Sequence, residues 1–154
     1  MLICVESTRG EQIHINNTAS KFTCTLAEHY NLDTGRRGAW YIGLLELTLP
    51  PIKAGRKWDS LYVCCPACEL SCFGEVYKPI VASLSLGEIK RNNFVRFDSV
   101  HYIPLRVHSL GELTVEICDR DGEAVEELNK KNPEQTTKCT FDLKWMPNTS
   151  PWRP

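Results

Sequence analysis

Between Ala39 and Pro50 the chain reads Ala-Trp-Tyr-Ile-Gly-Leu-Leu-Glu-Leu-Thr-Leu-Pro, apolar at almost every position. Alternation with a period of two sets Trp40, Ile42, Leu44 and Glu46 on one face and Tyr41, Leu45, Leu47 and Leu49 on the other. Both faces carry apolar groups, so the run predicts a central strand covered on both sides. A helix of the same length is the competing reading. The aromatic entry, Gly43, Thr48 and the Pro50-Pro51 stop favour the strand, and Pro50 ends it because proline has no ladder donor to give.

Shorter alternating runs flank this element. Met1 to Val5 and Gln12 to Ile15 read as strands, and Lys21 to Leu26 places Phe22, Cys24 and Leu26 inward against Lys21, Thr23 and Thr25 outward. Asn16-Asn17-Thr18 is a turn by composition that also spells a glycosylation acceptor. Glu28 to Gly38 is polar and predicts a loop delivering the chain into the central strand. Further strands follow at Leu61 to Val63, Glu75 to Leu86 with an edge or bulge at Pro79, Phe94 to Phe97, and His101 to Val107. Leu113, Val115 and Ile117 alternate with Thr114, Glu116 and Cys118; Asp119-Arg120-Asp121-Gly122 then turns the chain and Ala124-Val125 predicts the returning arm of a hairpin. Glu126 to Thr136 is a charged excursion with room for one helical turn, and Thr140 to Trp145 predicts a closing strand.

About nine strand candidates thus recur every eight to fifteen residues, and no segment carries a helical stripe. The pattern predicts an all-β fold: an antiparallel two-sheet sandwich of about four strands each, with the long connections of a single jelly roll. An immunoglobulin-like sandwich is the runner-up, without the pair of cysteines that would bracket a tryptophan. Residues 1–145 form the domain and 146–154, with three prolines and a tryptophan, an extended tail.

Composition narrows the function. The 154 residues suffice for one domain with its own core, and a net charge of -1 leaves no general basic surface for nucleic acid. No run approaches the ~18 apolar residues of a membrane span, and the first residues lack the order of a signal peptide, which predicts a soluble chain that is not secreted. Eight cysteines would suit a disulfide framework in an oxidising compartment. Without a secretory signal, and with Cys4, Cys24, Cys118 and Cys139 scattered singly, reduced thiols acting as small buried hydrophobes are the better expectation.

Candidate chemistry is sparse. Cys65-x-x-Cys68, with Cys64 and Cys72 nearby, has a spacing that can grip zinc, although structural zinc sites draw their thiolates from two separated pairs and these four lie together in one short stretch. A local disulfide or free thiols compete with it. Arg36 and Arg37 on a glycine-rich turn invite a phosphate, and solvated arginines explain them as well. Lys53, Arg56 and Lys57 beside Trp58 could stack a base, or form a loop anchored by its tryptophan. His101 and His108 have no cysteine or acid at the spacing of a catalytic motif, and the carboxylates around Asp119 lack the ordered spacing of a calcium loop. No nucleophile elbow, phosphate loop or metal-binding His-Glu pair is present, and the sequence predicts no enzyme and no cofactor.

The order of Ala39-Trp40-Tyr41-Ile42-Gly43-Leu44-Leu45-Glu46-Leu47, Leu61-Tyr62-Val63, Gly74-Glu75-Val76-Tyr77-Lys78-Pro79, His101-Tyr102-Ile103-Pro104-Leu105 and Leu113 to Gly122 resembles the penton-type minor capsid proteins of Maverick/Polinton elements, adintoviruses and adomaviruses. The likeness spans roughly residues 20 to 145 and departs at the Cys64 to Cys72 cluster. It implies a single jelly roll that assembles as a homopentamer at the vertices of an icosahedral DNA-virus capsid, with the major capsid protein as neighbour, the virion as location, and neither membrane nor direct nucleic-acid contact. Trp58, Trp152 and the Phe94 to Phe97 edge are the candidate interface. A protein-binding adaptor with the same sandwich is the alternative, and a zinc-stabilised nucleic-acid-binding domain a more distant one.

Overall fold

The computed structural model describes residues 1–7, 14, 16–33, 37–52, 59–73, 76–89, 93–129 and 136–148. The expected strand at Gln12 to Ile15, apart from His14, lies outside these residues, as do Arg36, Lys53, Arg56, Lys57, Trp58, Trp152 and the tail beyond Asn148.

Eleven strands are formed among the described residues: β1 (Leu2–Glu6), β2 (Lys21–Asn31), β3 (Gly38–Thr48), β4 (Ser60–Cys64), β5 (Ser71–Phe73), β6 (Val76–Lys78), β7 (Ile80–Ser85), β8 (Phe94–Arg96), β9 (Tyr102–Pro104), β10 (Ser109–Cys118) and β11 (Lys138–Pro147). Two short 3₁₀ turns, Leu86–Glu88 and Glu126–Asn129, are the helical pieces among those residues. One sheet runs β1-β11-β3, with β8 and β9 sharing the far edge of β3; the other runs β2-β10-β4-β7; β5 and β6 form a separate hairpin. Every pairing is antiparallel.

The pairings are nested. β1 meets β11, β2 meets β10, β3 meets β8 and β9, and β4 meets β7, so the chain is one long hairpin whose successive pairs fall alternately on the two sheets. That rolled hairpin is the jelly roll, and it excludes the immunoglobulin order. Inward side chains from both layers make one core, with Phe22, Ile42, Leu44, Leu47, Leu61, Leu113, Ile117, Phe141 and Leu143 among its most deeply buried members.

The central strand is β3, as its hydrophobicity predicts, but it is not covered on both sides. Thr140 faces Glu46 whereas the next residue of β11, Phe141, faces Leu44, leaving Leu45 as an extra residue on β3. This bulge reverses the alternation. Ile42 and Leu44 before it, and Leu47 and Leu49 after it, therefore all point into the same core. Leu45 does not go unused: its carbonyl accepts a hydrogen bond from the Phe97 amide at 2.9 Å, between the short strands β8 and β9 that share this edge. A Cβ on Gly43 would stand 2.5 Å from Val100 Cγ1 and 3.0 Å from the Tyr102 ring, so glycine lets that edge close.

Four other expectations change. β2 continues through the polar stretch to Asn31, because Tyr30 and Asn31 pair with Leu110 and Ser109 beyond an arch at residues 26–29. It is an exposed edge strand, where polar residues cost nothing. The predicted run from Glu75 to Leu86 divides at Pro79: β6 turns back on β5, and β7 joins β4. After Cys118 the returning arm is one bridge, Cys118 to Ala124, rather than a hairpin; β10 finds its partners in β2 and β4 instead. The closing strand runs on to Pro147, opposite Gly38.

Candidate functional site

The four cysteines that suggested zinc are dealt to different places by the fold. Cys64 ends β4 with its thiol on the outer face of the sheet, where it packs with Tyr62, Cys118 and Ile80. The next residue, Cys65, faces the core and is fully buried with Cys68, whose amide donates to the Cys65 carbonyl at 2.9 Å in a tight turn. Cys72 lies exposed on the β5–β6 hairpin. Alternation along the chain separates neighbours 64 and 65 by a sheet's thickness, so one ion cannot hold all four. Among the described residues no three of His, Cys, Asp and Glu converge as a metal site.

None of the eight cysteines is in a disulfide; six are buried, and Cys4 and Cys72 are exposed. Burial pushes the Cys139 thiol well up. Cys68 is pushed up as well, first because it donates to Cys65 and then because it is buried. These interior thiols are small hydrophobes. The outer pair differs. Cys64 donates to Cys118, which raises the first, and Cys118 is lowered to about 7 by that hydrogen bond, opposed by burial and helped by the Lys78 ammonium. Lys78 Nζ stands 3.7 Å from Cys118 Sγ and donates to the Gly122 carbonyl at 2.6 Å.

The loop over this pair is built by Asp119. Its Oδ1 accepts the amides of Asp121 and Glu123 at 2.9 and 3.0 Å, so the carboxylate is committed to its own turn. Gly122, at φ 81°, takes the left-handed position there. Of the carboxylates considered for calcium, that of Asp119 thus serves the turn itself.

A second locus is a cleft of about 320 Å³ at one end of the sandwich, lined by Leu32, Asp33, Trp40, Leu105, Arg106 and His108 among others. The Trp40 indole N–H is buried without a hydrogen-bond partner among the described residues. His108 and Asp33 border this cleft, and no cysteine does. His101 is exposed and lies elsewhere. Arg37 is exposed at the entry to β3.

Of the candidate interface residues, Phe97 is partly buried against the core, and Phe94 is half-buried in β8. Among the described residues the exposed large apolar groups are others: Met1, Leu2 on the edge strand β1, and Leu70 and Tyr77 at the β5–β6 hairpin, Tyr77 being 70% exposed. Leu70 and Tyr77 were not legible in the chain, because a short hairpin carries too few residues for its alternation to show which side is covered.

No protein-family model matches the chain, and no curated protein matches it. Among solved structures it is similar to the Drosophila NLP-core, a structure described as giving insight into pentamer formation and histone binding. The identity is 12% over 94% of this chain and 96% of that one, with a TM-score of 0.35, too low to carry an argument.

Proposed function

We propose that the chain is a structural protein that assembles with copies of itself, as a penton-like minor capsid protein forming vertex pentamers of an icosahedral DNA-virus capsid. The observation that carries this reading is the jelly roll with its apolar groups displayed at the rim: Leu2 on an open edge, Leu70 and Tyr77 on a hairpin between β4 and β7. The ordered motifs from Ala39 to Gly122 that resemble penton-type proteins support it further. Assembly needs no reacting group; it needs exposed apolar and aromatic side chains that neighbours bury. The major capsid protein is the neighbour beyond the ring, and the virion the location. Negative-stain images of purified protein test the proposal: rings with five-fold symmetry are expected, and their loss in Tyr77→Glu and Leu70→Asp. Uniform single particles of one chain at all concentrations would overturn it.

One observation favours a second reading, a protein-binding adaptor. The end cleft of about 320 Å³, lined by Leu32, Trp40 and Leu105 together with Asp33, Arg106 and His108, has the size and mixed lining of a ligand site. A monomer whose Trp40 fluorescence shifts on adding a peptide would support that reading.

A further inference from the structure

On the outer face of the second sheet, apart from the main core, sits a small closed cluster of Tyr62, Cys64 and Cys118 with Ile80 packed against it. Register explains the meeting of the two thiols. Cys118 lies opposite Tyr62 and Glu116 opposite Cys64, so the cysteines are diagonal neighbours on one face, within reach of one another. They share a small cleft with Lys78, whose ammonium is anchored on the Gly122 carbonyl and directed at Cys118 Sγ. Nothing in the fold or in the proposed assembly needs an amine held against a thiol there; a valine pair would fill the cluster as well.

We propose that Cys64 and Cys118 are an oxidisable dithiol site, served by Lys78, which a small peroxide closes into a disulfide joining β4 to β10. The Cys118 thiolate attacks one peroxide oxygen. The O–O bond breaks, the departing hydroxide takes a proton and leaves as water, and Cys118 becomes a sulfenic acid. The Cys64 sulfur then attacks the Cys118 sulfur; the S–O bond breaks and the hydroxide leaves as water with the Cys64 proton. Two thiols lose two electrons and one peroxide becomes two waters.

The charged and titratable groups facing the pair are Lys78, Glu116, Asp119, Arg120 and Tyr62. Lys78 and the donated hydrogen bond from Cys64 favour the Cys118 thiolate, while Glu116 opposes it, and the resulting value of about 7 leaves a large thiolate fraction at neutral pH. Access selects the oxidant. The cleft holds about 10 Å³, about the space of a single water, so a small peroxide approaching from its open side reaches the sulfur more readily than a bulky tripeptide disulfide does. Diagonal Cα atoms are typically ~7–8 Å apart, slightly beyond the usual disulfide span. Cys64 is the last residue of β4, next to a register shift against β7, where the backbone can give. A bond closed against that resistance is readily reduced.

The test treats folded full-length protein at pH 7 with hydrogen peroxide and maps the products by mass spectrometry. Expected is a link between the peptides holding Cys64 and Cys118, reversed by dithiothreitol and absent in both Cys64→Ser and Cys118→Ser. Lys78→Met slows it about threefold, as the thiolate keeps the Cys64 hydrogen bond but loses the ammonium beside it, and Lys78→Arg restores it. Glutathione disulfide leaves the pair untouched. The proposal is overturned if the folded protein, checked by circular dichroism, forms no such link, if the link persists in Cys64→Ser through Cys65 or Cys68, if Lys78→Met reacts at the parent rate, or if glutathione attaches to either thiol.

Discussion

Deleting Leu45 tests whether that residue is a bulge standing outside the in-and-out alternation of β3. Without it Glu46 follows Leu44 and the ladder with β11 becomes regular, with Leu44 opposite Phe141, Glu46 opposite Thr140 and Leu47 opposite Cys139. The faces are then unchanged: Ile42, Leu44, Leu47 and Leu49 still point into the core and Glu46 away from it. What is lost is one half-buried side chain, at about 1 kcal/mol, and the hydrogen bond from the Phe97 amide to the Leu45 carbonyl, at about 1 kcal/mol more. Were Leu45 instead a regular member of the ladder, its deletion would turn over one half of the strand and expel two large core side chains, at about 2–5 kcal/mol each. That is much of the roughly 5–15 kcal/mol that holds a domain of this kind. Urea unfolding followed by tryptophan fluorescence distinguishes the two: with a slope of about 2 kcal/mol per molar, the deletion lowers the midpoint by about 1 M. A deletion variant whose midpoint falls by ~2 M or more, or that shows no cooperative transition, refutes the reasoning.

Phe141→Ala, at a fully buried position between the sheets, lowers stability by about 3–5 kcal/mol in the same urea experiment. Thr137→Val removes a hydroxyl that donates to the Ala19 carbonyl at 2.5 Å in a buried setting; the orphaned carbonyl costs about 1–3 kcal/mol, and a neutral result contradicts its role. Gly43→Val drives a side chain into Val100 and the Tyr102 ring and costs about 1–3 kcal/mol, with Val100→Ala relieving part of it in a double-mutant cycle. Because Cys64, Cys65, Cys68 and Cys72 are divided among two faces and a hairpin, elemental analysis finds less than a stoichiometric equivalent of zinc, and a chelator leaves the melting temperature unchanged.

The class of fold was readable because exposed faces and buried faces alternate over Lys21 to Leu26, Leu113 to Cys118 and Thr140 to Trp145, and in each of these the structure keeps the predicted sides. Where a bulge intervenes, the same rule misleads: Leu45 makes a one-sided strand look two-sided. Polarity misled at Glu28 to Asn31, since an edge strand buries too little to announce itself. The outer thiol pair was out of reach for a different reason. That Cys118 faces outward follows from alternation, but its meeting with Cys64 depends on how β10 is registered on β4, and Lys78 joins them through the break at Pro79. Neither relation is local in the chain.

The central claim is that this jelly roll exists to be joined to its own copies through its rim. The mass of the native protein in solution tests it most directly. A particle of five times the 17.5 kDa chain, falling to one chain when Tyr77 and Leu70 are made acidic, is the expected result. A single-chain mass that holds up to the highest attainable concentration contradicts the account.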